Sequence, residues 1–408
     1  MRGLLGMRGL LILALLSVTA PTRGIAQPAL SIAAEAQVET VFRWASQRCT
    51  ELHLPDSPAR ALRRADGGIV LFAAHLVNIP MLGANFDTLS PACAAMSRGA
   101  ESPDPAAFQD RFWVQAVVPF LDRGRPRVLG VASHEFMGWR HPGSCATPYD
   151  ADGRRPAGFR CWYSAITAVV AEEGDWRFQP ILAPAGVIAA SPAPFNPTAT
   201  QRSGFFSVSN ALIEDGHATL MVYNEGIAGQ PRGNCLLRAP LNELPGGWRG
   251  LSGGVFSETY PGAYASGSPQ PKPCDVVGNE VFAGAPIRGV VRIDRPDGPW
   301  FVAIFTRAAP RDRRSDSSDG VFVSTSRDLR RWSRAERLWA MTPFRSQPEP
   351  GVYYEYPALI DHASSSPVFD TVGASPRLYL YLTRLNLEDR RRGLDRDLVR
   401  VAVHLDWP

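Results

Sequence analysis

The sequence predicts an all-β fold, a five-bladed β-propeller over residues 27–408, and three observations carry that expectation. A unit of about 40 to 50 residues recurs, each copy holding an apolar strand, a polar turn, a second apolar strand ending in polar residues, a third strand and an edge. Asp-Gly turns stand at equivalent places in these copies, at Asp66-Gly67, Asp215-Gly216 and Asp297-Gly298, where antiparallel strands reverse tightly and Gly tolerates positive φ. With 36 Gly, 36 Pro and 10 Trp in 408 residues, the composition favours short strands joined by turns over long helices.

The first unit runs from Ala59 to Arg63, turns at Asp66-Gly67, continues from Ile69 to His75 and closes around Phe86-Asp87-Thr88-Leu89. The second has Trp113 to Leu121, a turn at Asp122-Arg123-Gly124, Arg127 to Glu135, then Cys161 to Thr167 and the turn Glu172 to Trp176. The third holds Phe205 to Ile213, His217 to Glu225, Cys235 to Ala239 and Leu244 to Trp248. The fourth places Arg288 to Ile293, Trp300 to Arg307, Gly320 to Ser326 and Asp328 to Trp332; the fifth has Tyr356 to Ile360, Leu378 to Arg384 and Asp397 to Val403. Helical spacing is suggested only over Ile32 to Arg43, which reads equally as a strand. A pair of β-sandwiches is the alternative arrangement for the same strands.

Arg2 and Arg8, the apolar run Leu10 to Ala20, and Gly24-Ile25-Ala26 before Gln27 have the layout of a cleaved signal peptide over residues 1–26. The apolar run is short against the roughly 20 residues of a bilayer span, so no membrane span is expected. The protein is thus expected in the periplasm or outside the cell. Six cysteines lie beyond the cut, an even number that reads as disulfides in an exported chain. Sequence alone leaves their pairing open; nearness along the chain suggests Cys49 with Cys93, Cys145 with Cys161, and Cys235 with Cys274. No two stand at C-x-x-C spacing, which argues against a metal cluster. The net charge of +4 comes partly from runs such as Arg311 to Arg314 and Arg390 to Arg392, which read as solvated loops. No basic stripe interleaved with aromatics marks a nucleic-acid partner. No cofactor is implied, a structural calcium is left open, and a monomer is expected.

The small-polar, Asp-Leu, Trp edge, clearest in Ser326-Arg327-Asp328-Leu329-Arg330-Arg331-Trp332, resembles the blades of five-bladed furanosidases, arabinanases and fructan-cleaving glycoside hydrolases. That resemblance implies an activity on a plant or microbial polysaccharide or oligosaccharide. Glu172-Glu173-Gly174-Asp175-Trp176 is similar to the Asp-box turn of sialidases.

In a propeller, residues just before the innermost strand of each blade and just after the second strand converge at one mouth of the channel. That rule selects Asp56, Asp110 and Glu355, and then His75, Glu135, Glu225, Arg307 and Arg384. Hydrolysis of a glycosidic bond needs one carboxylic acid to protonate the leaving oxygen and one carboxylate to activate water or attack the anomeric carbon. The resembled enzymes place an Asp at the opening of the first blade, which implies Asp56 as base or nucleophile. Asp110 is expected to be the orienting carboxylate, and Glu135 is favoured over Glu225 as the acid. Glu135 lies in His134-Glu135-Phe136-Met137-Gly138-Trp139-Arg140-His141, near a loop that Cys145 and Cys161 can pin; His134, Trp139 and His141 are expected at the substrate with Arg60, His75, Arg307, Glu355, Tyr356 and Arg384. This segment lacks the H-E-x-x-H register of a helical zinc site.

Each assignment has a plainer counterpart. Asp56 also reads as a turn cap between Pro55 and Pro58, Glu135 and Glu225 as partners for arginines such as Arg60 and Arg384, and Asp110 as loop charge. Trp113, Trp139, Trp162 and Tyr354 suit either sugar stacking or packing between blades. Arg307 and Arg384 suit an anionic substituent such as uronate or sulfate, or an ion pair across the channel. The competing functions are a saccharide- or protein-binding propeller without catalysis, and a sialidase-like hydrolase with Tyr354 or Tyr356 as nucleophile.

Overall fold

The computed structural model describes residues 27–146, 160–226, 229–265, 267, 270–282, 284–308, 319–344, 350–387 and 394–406, and these are almost entirely β. The expected leader and the runs Arg311–Arg314 and Arg390–Arg392 lie outside the described residues. The described chain opens with two short strands, β1 (Ala29–Ile32) and β2 (Glu39–Phe42), so the Ile32 to Arg43 stretch is not a helix; a single helical turn, Trp44–Gln47, follows it.

The first antiparallel meander is β3 (Arg60–Arg63), β4 (Ile69–Phe72), β5 (Met81–Gly83) and β6 (Ser90–Pro91). Phe86 to Leu89 is a turn between the last two strands and not a strand. The Asn85 side chain accepts from the Asp87 backbone N–H at 2.9 Å there, so a local turn bond replaces ladder pairing. The second meander holds the long strands β7 (Arg111–Asp122), β8 (Arg125–Met137) and β9 (Trp162–Glu172), with β10 (Val187–Ala190) on its edge. The third is β11 (Ser203–Val208), β12 (His217–Asn224), β13 (Gly233–Pro240) and β14 (Arg249–Ser252). Here the expected strand Phe205 to Ile213 is broken after Val208, where Ser207 takes φ 60° in a bulge.

The fourth meander is β15 (Gly289–Ile293), β16 (Trp300–Arg307), β17 (Gly320–Ser326) and β18 (Glu336–Trp339). Arg327 to Trp332 forms the bend before its edge strand, with Leu329 and Trp332 buried. The fifth is β19 (Gly351–Asp361), β20 (Leu378–Leu387) and β21 (Arg396–Asp406), completed on its outer side by β1, which pairs antiparallel with β21.

Period-two alternation sends each strand's side chains to both faces, and both faces are buried between sheets. Ala61 and Leu71 join Ile360 and Tyr381 of the fifth meander, while Leu62, Val70 and Phe72 join Val114, Val128 and Ala132 of the second. The second packs on the third through Val118, Val131, Phe205 and Val222, the third on the fourth through Met221, Leu236, Phe301 and Phe305, and the fourth on the fifth through Val302, Val321, Leu380 and Val401. The hairpin turns follow the sequence: Asp215 and Gly216 both have positive φ, 49° and 73°, the pairing that reverses two strands in register.

The disulfides are Cys49–Cys93, Cys145–Cys161 and Cys235–Cys274, the pairing suggested by nearness along the chain. Cys235–Cys274 closes a loop of 39 residues on the third meander. Replacing both by Ser is expected to lower stability by about 3–4 kcal/mol through the freed unfolded chain, as read from urea unfolding.

The innermost strands are tied together by Arg60. Its guanidinium donates to the backbone carbonyls of Gln115, Val208 and Arg288, which belong to or adjoin β7, β11 and β15, and to that of Ala59 beside its own strand. Arg60 is 4% exposed, and burial followed by the nearby Arg288 charge lowers its pKa to about 9. This residue is therefore spent on holding these strands together.

Candidate active site

Carboxyl groups from three meanders lie at one end of the innermost strands, Glu135 coupled to Asp56, and Glu355 to the Arg288 and Tyr356 that adjoin them. Asp56 stands four residues before β3, Glu135 lies near the end of β8, and Glu355 sits in β19 just before a break in its register. That break brings Tyr356 into the left-handed region at φ 58° and allows its hydroxyl to donate to Asp56 Oδ1 at 3.1 Å. A non-glycine residue held there costs about 1–3 kcal/mol, which the surrounding sheet must offset.

Asp56 is the hub. Its Oδ2 accepts from the Trp113 indole N–H at 3.1 Å, its Oδ1 also pairs with Arg396, and His75 Nε2 stands 3.7 Å from Oδ2. One carboxylate thereby gathers side chains from β7, β19, β21 and the segment after β4. His75 is fixed from its other nitrogen by the Leu52 carbonyl at 3.1 Å, and burial lowers its pKa.

Glu135 is 5% exposed, and burial pushes its pKa up to about 8; Arg202 opposes the shift and the charge of Asp56 reinforces it. Its carboxyl accordingly holds a proton at neutral pH, beside a group that accepts hydrogen bonds. Burial likewise raises Glu355 to about 7, against the pull of Arg288. Arg288 lies over the Tyr356 ring at 5.1 Å and donates to the Ser207 hydroxyl at 2.8 Å.

A second cluster lies behind Glu135. Asp110 is fully buried, receives both oxygens' bonds from Arg111 at 2.9 Å, and accepts from the Met137 backbone N–H at 3.3 Å. His141 Nε2 lies 2.9 Å from Asp110 Oδ2 and its ring stacks on Phe136, 5.0 Å between centroids. His134 accepts the Asp110 backbone N–H on Nε2 at 3.0 Å, and burial lowers its pKa to about 3. Asp110 and His141 thus bind the end of β8, where His134 lies, and none of the three has a hydrogen bond to Asp56 among the described residues. Trp139 packs edge-on against Trp162 at 5.3 Å, in a buried cluster with Trp113, and Tyr354 packs on Trp339 at 5.1 Å.

Comparison with known proteins adds an overall likeness. No protein-family model and no curated protein matches the sequence. Among solved structures the chain is similar to an α-L-arabinofuranosidase from Fusarium graminearum solved with an iminosugar inhibitor, with a TM-score of 0.43 and 9% identity over 89% of this chain and 97% of that one. It is also similar to an α-L-arabinanase from Cellvibrio cellulosa complexed with arabinohexaose, TM-score 0.40 and 12% identity over 87% and 95% of the two chains. An α-L-arabinofuranosidase from Lactobacillus brevis gives a TM-score of 0.42 and 10% identity over 88% and 94%. At these identities the likeness is one of chain course, and the residues of the mouth are assigned from this chain's own geometry.

The remaining expected residues are placed elsewhere. Glu225 is an ion-pair partner, bonded to Arg202 Nε at 2.9 Å with Arg232 at 3.5 Å. The partner of Arg384 is Asp397, opposite it in the β20–β21 register at 2.6 Å, and Arg307 donates to the Val281 carbonyl at 2.8 Å. Neither Arg60 nor Arg384 therefore pairs with Glu135 or Glu225. Sequence reasoning missed Arg202, Arg288 and Arg396. Arg202 and Arg288 immediately precede β11 and β15, so the rule for residues before an innermost strand reaches both once those strand starts are placed correctly. Arg396 opens a third strand, a position that rule never reaches.

Proposed function

We propose that this chain is an exported, five-bladed β-propeller glycoside hydrolase acting on a plant or microbial polysaccharide or oligosaccharide, with Glu135 as acid and Asp56 as base or nucleophile. The observation that carries the reading is a buried Glu135, its pKa pushed up by burial and by the charge of Asp56, whose own oxygens are held by Trp113, Tyr356 and Arg396. A carboxyl group held protonated by burial beside a second one whose oxygens are fixed by hydrogen bonds is what acid–base cleavage of a glycosidic bond requires. Glu135 passes its proton to the leaving oxygen as the C–O bond breaks, and Asp56 either takes a proton from the attacking water or attacks the anomeric carbon itself. Asp110 serves as the orienting carboxylate at one remove, since its bond to the Met137 N–H fixes the backbone two residues beyond Glu135.

The successive meanders, packed in sequence with the fifth against the first, support the propeller reading. The disulfides support export, because such bonds persist in oxidising compartments.

The test follows reducing-sugar release by purified 27–408 protein on arabinans, xylans, fructans and sialosides, alongside Asp56→Asn. Cleavage of one substrate class, reduced about 10²–10⁴-fold in the variant at a temperature where circular dichroism shows it folded, is the expected result. No cleavage of any substrate overturns the hydrolase in favour of a binding propeller, and full activity in Asp56→Asn removes Asp56 from the chemistry.

A further inference from the structure

Resting on the hydrolase reading, we infer that the sugar held at this mouth carries an anionic group, a ring carboxylate or a sulfate ester, and that Arg288 receives it. Four guanidinium groups, those of Arg60, Arg202, Arg288 and Arg396, surround or underlie the three carboxyl groups, and three of the four are committed. Arg60 is spent on backbone carbonyls, Arg202 is bonded to Glu225, and Arg396 to Asp56. Arg288 alone among them bonds neither a carboxylate nor a backbone carbonyl among the described residues. Its Nη1 donates to Ser207, and its Nε is buried with no acceptor among the described residues.

A buried guanidinium nitrogen without an acceptor costs about 1–3 kcal/mol unless a water or a ligand completes it, and the Nε atoms of Arg127, Arg292, Arg307 and Arg384 share that state, so the case for Arg288 rests on its setting among the carboxyl groups. Arg288 is also placed with unusual care. Ser207 and Tyr356, the two residues touching its guanidinium through hydroxyl and ring, both hold positive φ, at 60° and 58°, in bulges of the innermost strands. Strain at two flanking residues fixes a planar fork whose geometry matches a carboxylate or sulfate. Charge points the same way. With Glu135 protonated near neutrality, the arginines outnumber the ionised carboxylates around the mouth, and Arg140 adds a further cation towards His75. Glu355 is the group that competes for Arg288, and as it titrates near 7 its ionised form opposes the incoming anion.

Calorimetric titration tests this with glucuronate- and galacturonate-containing disaccharides, sialyllactose, a sulfated galactoside, and the neutral disaccharide matching each. The wild type is expected to bind at least one anionic sugar about ten-fold or more tightly than its neutral counterpart, and to lose part of that preference as pH rises from 6 to 8. Arg288→Met should abolish the preference, and Arg288→Lys, which keeps charge without the fork, should retain a fraction of it. A carboxylated ligand preferred over a sulfated one, or the reverse, assigns the anion. Equal binding of neutral and anionic sugars, an unaltered preference in both variants, or no binding of any anionic sugar overturns the inference. Cleavage of neutral glycans without anionic preference leaves the hydrolase standing and this inference refuted; anionic binding without cleavage of any glycan does the opposite.

Discussion

Glu135→Gln is expected to lower glycan hydrolysis by about 10²–10⁴-fold while leaving saccharide binding within a few-fold, as judged by steady-state kinetics beside calorimetric titration. Glutamine keeps the shape and the hydrogen-bonding capacity but has no proton to give, so the loss falls on kcat. In the parent, kcat/KM should fall as pH rises past about 8, where Glu135 ionises, and a substrate with an acidic leaving group should partly rescue the variant. The same group makes stability depend on pH. Its ordinary value of 4.5 is raised to about 8 in the fold, so between those values the folded chain binds a proton that the unfolded chain has released. The associated stability is complete below about 4.5 and is lost as pH climbs through 8, at up to about 1.4 kcal/mol per pH unit. Glu355 adds a like slope up to about 7. Urea unfolding of parent and variant at pH 5 and pH 8 should show the parent losing stability relative to Glu135→Gln as pH rises, a difference in which the opposite contribution of histidines buried neutral, such as His134, cancels. An unchanged difference between the two proteins would mean that Glu135 is ionised throughout.

Arg60→Met is expected to destabilise the fold by about 3 kcal/mol or more, read from urea unfolding. Methionine fills much of the same space, yet it orphans the carbonyls of Gln115, Val208 and Arg288 at once. Each buried carbonyl left without a donor costs about 1–3 kcal/mol, which outweighs the relief of no longer burying a charge. Arg60→Lys should fall between, because one ammonium cannot span carbonyls on three separate strands. A neutral outcome would mean that the innermost strands are held by side-chain packing alone.

Much of the fold was legible because strand alternation and turn chemistry are local. The Asp215-Gly216 reversal follows from two residues, and the disulfides follow from elements adjacent in both sequence and space. The mouth was only partly legible. Asp56, His75, Glu135 and Glu355 lie at the site as the strand-end rule selects them, but the same rule also selects Asp110, Glu225, Arg307 and Arg384, which turn towards partners of their own. The difference lies in parity. A strand end fixes position, while the face a side chain takes flips with every bulge, and the bulges at Ser207 and between Glu355 and Ala358 depend on tertiary packing that no short window of sequence encodes. Arg396 reaches Asp56 across 340 positions, a separation no local pattern reports.

The pairing of β1 with β21 sets an order of events for a newly made chain. The outer strand of the fifth sheet is made first and its partner last, with Ala29 opposite Asp406 and Ile32 opposite Val403. Until Arg396–Asp406 arrives, β1 has an unpaired edge and Ile360 and Tyr381 lack part of their cover, so the nascent chain must be shielded from pairing with its neighbours. The Cys49–Cys93 bond, by contrast, joins residues 44 apart and can form while most of the chain is still to come. Covalent stapling near the start of the chain can therefore precede the long-range zip between its two ends, the slow kind of contact in any β protein.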